Sequence, residues 1–167
     1  MTRPEPSTAP RVDLQRYLGT WYEIVRKPIR FEDTAARDVT ATYSLQDDGS
    51  IEVHNRSLDE NGEYEDAVGR ATVVDTATNA KLEVSFLPAG LRWIPFTKGD
   101  YWVLRVDEGY NMALVGTPDY KYLWLLARDA NPGHDTIVQW LDYASALGYE
   151  TGDVIRPVQS GAVPTPD

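Results

Sequence analysis

His54 and His134 are the only histidines in the sequence, and so the only side chains that titrate near neutrality in their ordinary state. Acid–base or nucleophilic catalysis would set such a group beside a nucleophile and an orienting acid. Neither histidine stands in such a motif: His54 falls in an alternating strand pattern and His134 at a helix entrance. The chain has no cysteine, which removes disulfides, a thiol nucleophile and zinc–thiolate ligation. No Gly-rich phosphate loop or metal-ligand spacing is present, so no metal and no cofactor is expected and the chain is read as a non-enzyme.

The more informative side chains are apolar. The stretch 88–99 carries Leu91, Trp93, Ile94 and Phe96 between turn residues, with Arg92 and Lys98 flanking them. An apolar cluster in a loop marks a contact surface for a ligand, a membrane or a partner, including a second copy of the chain in a dimer. The two cations could meet a carboxylate or phosphate headgroup.

Net charge narrows the partners further. Against 16 Lys and Arg stand 26 Asp and Glu, giving −10 at pH 7, which repels phosphate backbones and anionic headgroups. Nucleic acid is excluded as an expected partner. The 167 residues, 42% of them hydrophobic, suit one domain with one core. Residues 1–11 contain three prolines and no apolar run; they read as a disordered leader, neither signal peptide nor membrane span. Residues 12–158 are assigned to the domain and 159–167 to a tail.

Strands dominate the pattern. Val39, Ala41, Tyr43 and Leu45 alternate with Asp or hydroxyl residues, the signature of a half-buried strand, and Asp47-Asp48-Gly49-Ser50 turns the chain into a second alternating run at 51–55. Further strands are predicted at 21–25, 67–74, 81–87, 101–106, 112–115 and 122–127, making eight. Short strands joined by turns argue for an antiparallel sandwich or barrel. One short helical turn precedes Gly19. One amphipathic helix follows Pro132-Gly133, with apolar residues at 137, 140, 141, 144 and 147 and Gly148 as its stop. Val154-Ile155 reads as a short closing strand.

The segments Tyr17-Leu18-Gly19-Thr20-Trp21-Tyr22-Glu23-Ile24, 39–45 and Tyr122-Leu123-Trp124-Leu125-Leu126-Ala127-Arg128, in that order around eight strands and a helix, resemble the lipocalins of the bacterial outer-membrane and apolipoprotein D type. The likeness runs from Leu14 to Val158. The family's second motif corresponds to Thr117-Pro118-Asp119-Tyr120-Lys121-Tyr122, with Lys121 where many relatives carry an acid. This resemblance implies an all-β fold: an eight-stranded antiparallel up-and-down β-barrel, or calyx, with one C-terminal α-helix packed outside. It implies that Gly19, Trp21 and Arg128 close one end, with Arg128 across the indole.

Ligand should then enter at the other end. With Trp21 inward, strand periodicity puts Glu23 and Val25 on its face, and Val39, Ala41, Tyr43 and Leu45 inward on the next strand. The expected ligand contacts are Ala41, Tyr43, Trp93, Phe96, Tyr101 and Trp124. The expected cargo is a fatty acid, lysophospholipid or similar amphiphile, stored or transported at the bacterial outer membrane or in the periplasm, where the resemblance also implies a lipoprotein. The alternatives are an enzyme acting on an unsaturated or oxidised lipid, with Tyr43, Glu23 or His54 as acid or base, and an interaction module that docks through the 88–99 stretch.

Overall fold

The computed structural model describes residues 4–27, 37–59, 61–86 and 98–159. A short helix α1 (Leu14–Tyr17) leads into β1 (Gly19–Arg26), followed by β2 (Arg37–Leu45), β3 (Ile51–Leu58), β4 (Tyr64–Val73), β5 (Lys81–Phe86), β6 (Lys98–Val106), β7 (Met112–Gly116), β8 (Leu123–Ala127) and the helix α2 (His134–Leu147). Each strand pairs antiparallel with the next, and β8 returns to β1, closing an eight-stranded barrel.

Alternation along the strands separates two cores. Val39, Ala41, Tyr43, Val53, Ala71, Leu82 and Val103 fill the barrel interior. Leu114, Leu123, Leu125 and Ala127 point outward and are covered by Ile137, Trp140 and Ala144 of α2. The helix ends at Gly148, whose φ of +117° is left-handed and whose N–H returns to the last turn.

Two facing assignments change. Leu45 is 45% exposed, because β1 begins at Gly19 opposite Tyr43 and the floor of the barrel lies there, so the end of β2 projects past it. In β1 a bulge falls between Glu23 and Val25. One extra residue shifts the phase of alternation. Glu23 still lies opposite inward-facing Leu126. Val25 lies opposite Leu125 under α2, and Arg26 lies opposite inward-facing Trp124.

The segment before Val12, expected to be disordered, is packed from Pro4 onward: Ala9 N–H donates to Val103 O, Val12 N–H to Thr78 O, and the Tyr120 hydroxyl to Pro4 O. At the other terminus Ile155 exchanges both backbone hydrogen bonds with Arg26. Gln159, expected to open the tail, sits in the wall. Its Nε2 donates to Glu23 O and Val39 O, lacing β1 to β2 just above their last paired residues, Tyr22 and Thr40. A proline-rich or polar segment carries no alternation that could announce either role.

Candidate functional site: the barrel interior

The lower end is sealed by one arginine. Asp13 caps α1 through its carboxylate, and the chain turns into β1 at Gly19, where φ is +99°. A Cβ there would also meet Arg128 Nη1 at 3.3 Å, so glycine is required on two counts. Arg128 lies with its guanidinium carbon 3.8 Å from the Trp21 ring centroid and donates to the carbonyls of Arg16, Leu18, Thr20 and Tyr110. Trp21, fully buried, donates from Nε1 to Tyr17 O. Gly19, Trp21 and Arg128 thus come together as one plug.

Above the plug stands a group of phenols. The Tyr101 hydroxyl lies 2.7 Å from those of Tyr17 and Tyr43, and the Tyr17 ring packs tilted against Trp21 with centroids 5.1 Å apart. Burial, the dominant cause in each case, pushes all three phenol pKa values well above their usual value. Tyr17, Tyr43 and Tyr101 line a cavity of about 10 Å³ with aliphatic side chains from β3 to β6.

Above Trp21 on β1 the bulge sets Glu23 and Arg26 inward, 3.3 Å apart, Arg26 fully buried. Trp124 faces the same interior and stacks on Tyr122 at 6.1 Å. Of the expected ligand contacts, Ala41, Tyr43, Tyr101 and Trp124 share this space. Trp93 and Phe96, with Leu91, Arg92 and Ile94, lie outside the described residues. The strands they connect, β5 and β6, end and begin at the end opposite Arg128.

His54 is on the outer face, paired with Asp66 at 2.8 Å, so it cannot join Tyr43 and Glu23 in one site. Sequence reasoning missed Arg26, Tyr17 and Gln159. The aromatic Tyr17 beside the turn at Gly19 was a signal for the second; the bulge that aims Arg26 leaves none.

A closed eight-stranded barrel, plugged at one end and lined by small apolar and aromatic side chains, defines a calyx of the ligand-carrying class. The chain belongs to the lipocalin family: the model of the lipocalin-like domain matches residues 12–159. It is 39% identical over 155 residues to temperature-induced lipocalin-1 of Arabidopsis thaliana, covering 92% of this chain and 82% of that protein. It is 38% identical over 151 residues to the outer membrane lipoprotein Blc of Escherichia coli K12, covering 90% and 81%. Apolipoprotein D of Mus musculus is 31% identical, covering 88% and 77%. Among solved structures, lobster apocrustacyanin A1 superposes with a TM-score of 0.67 at 13% identity, covering 94% of this chain and 91% of that one. Insecticyanin of the tobacco hornworm Manduca sexta gives 0.67 at 22%, covering 93% and 84%. Both structures share the fold. The family is one of binding and transport proteins for small hydrophobic molecules.

Proposed function

We propose that the protein stores or carries a fatty acid, a lysophospholipid or a similar amphiphile, tail down in the barrel, in maintenance of envelope lipid. The observation that carries this reading is the one-ended calyx: Arg128 and Trp21 stop the lower end, and the inner wall carries the small side chains Ala41, Ala67, Ala71 and Ala113. Each buried methylene contributes roughly 0.8 kcal/mol, so a long chain binds through its tail with one headgroup contact near the top. The inward Glu23–Arg26 pair offers that headgroup a group of each sign. Similarity to the outer membrane lipoprotein Blc supports a place at the bacterial outer membrane. Pro4, held by Tyr120 in the β7–β8 turn, lies at the upper rim, so a tether on the N-terminal side would turn the mouth to the bilayer.

The test is saturable binding of a fluorescent acyl ligand, with native mass spectrometry for co-purified lipid. Changing Trp93 and Phe96 together to Ser is expected to weaken binding at least about tenfold with circular dichroism unchanged. Unaltered affinity would move the entrance elsewhere. Turnover of a lipid instead of retention would overturn the carrier.

A further inference from the structure

At the closed end, beside the plug, two successive backbone N–H groups fasten the entering chain to two different turns. Val12 N–H donates to Thr78 O between β4 and β5, and Asp13 N–H donates to the Tyr110 hydroxyl between β6 and β7. Each turn is braced from within. Asp75 accepts from Ala77 N–H and the Thr78 hydroxyl, and Asp107 from Asn111 N–H and Met112 N–H. The space held between them is a preformed cleft of about 540 Å³, open to solvent and within the size range of sites for small organic ligands.

Its walls present both halves of the hydrogen bond. Arg11 and Gln15 are exposed, and among the described residues neither side chain has a partner. The Tyr110 hydroxyl accepts from Asp13, so its own proton is left to donate. The half-buried Asn79 carboxamide donates to Val12 O at 3.5 Å, which leaves its oxygen and second proton. Leu14 adds an apolar contact.

Charge then selects among ligands. Arg11 and Asp13 line the same cleft with opposite sign, and around it Asp75, Asp107 and Glu108 stand against Arg16 and Arg128. A simple anion or cation gains little from such a mixture. A zwitterion would need the Asp13 carboxylate, whose Oδ1 already holds the N–H groups of Gln15 and Arg16. An apolar ligand would strip water from a guanidinium and two carboxamides and replace none of it. A neutral polyol, each hydroxyl of which donates and accepts, meets every wall.

We propose that this cleft binds a neutral saccharide of disaccharide size, independently of what the calyx holds.

Amide NMR spectra of the isotope-labelled protein, titrated with maltose, trehalose and N,N′-diacetylchitobiose into the tens of millimolar, read the site directly. At least one of these sugars is expected to shift the amides of residues 11–15, 79 and 110 saturably. Combining Arg11→Ala with Gln15→Ala, which removes two exposed side chains without internal partners, is expected to weaken that binding at least about tenfold and to leave fatty-acid binding unchanged. The absence of a saturable shift with every sugar, or shifts confined to the other end of the barrel, overturns the proposal even if the double variant fails to fold. Unchanged sugar affinity in the folded double variant overturns it too. Phosphate or alanine moving the same amides at lower concentration than any sugar would overturn it by assigning the cleft to an anion or a zwitterion.

Discussion

Arg128 shows how much one side chain can fix: its donors reach four carbonyls from α1, β1 and the β6–β7 turn, and its plane covers Trp21. The phenols above it carry a consequence for alkaline stability. In the unfolded chain they ionise near the ordinary value of 10.0, whereas burial raises Tyr17, Tyr43 and Tyr101 well above it in the native state. Below pH 10 both states hold the protons and stability is undiminished. Above it the unfolded state sheds them while the native state does not, so stability falls by about 1.4 kcal/mol per pH unit for each phenol. Spectrophotometric titration is expected to show exposed tyrosines ionising first and these three only with cooperative loss of near-ultraviolet circular dichroism. All ten tyrosines titrating near pH 10 with the fold intact would contradict their burial.

The elements were readable where burial repeats at a fixed period. The alternation of β2 and the 3.6-residue spacing of α2 each announce a face, and Gly148 announces an end. What stayed hidden depends on register or on distance along the chain. The bulge at Ile24, between Glu23 and Val25, has no Gly or Pro to mark it, so no turn residue reveals that Val25 turns out and Arg26 in. The phenol row joins residues 84 and 58 positions apart, and neither periodicity nor motif spacing links them. The helix end can be probed by contrast with a turn. Gly148 and Gly49 both have left-handed φ, +117° and +87°, but a Cβ at Gly148 would meet Tyr120 at 3.0 Å while one at Gly49 meets nothing within 4 Å. Gly49→Ala is expected to cost about 1–2 kcal/mol for backbone strain alone, and Gly148→Ala more, both read from urea melts. Equal losses would mean that the Tyr120 ring yields freely and does not hold α2 against the β7–β8 turn.

At the scale of the whole molecule the two ends of the barrel are unlike, and the N-terminal segment runs from one to the other. It starts at Pro4 against Tyr120 beside the upper rim, passes Ala9 on β6, and reaches Thr78 at the lower end before α1 forms under the floor. A net charge of −10 opposes approach to an anionic bilayer, so under the proposed membrane tether the point of attachment would govern which end meets the lipid. The absence of native cysteine makes that point selectable. Glu5→Cys places a single thiol at the upper rim, and Glu108→Cys places one in the β6–β7 turn at the lower end, both at exposed positions. Each variant is coupled to vesicles bearing a maleimide lipid on a short linker, and uptake of a fluorescent fatty acid from the same bilayer is timed. Tethering through Glu5 holds the mouth against the membrane and is expected to load several times faster than tethering through Glu108, which turns the plugged end to the bilayer. Equal rates at matched coupling, with both variants binding the free ligand equally well, would show that cargo reaches the interior by a route other than the upper rim.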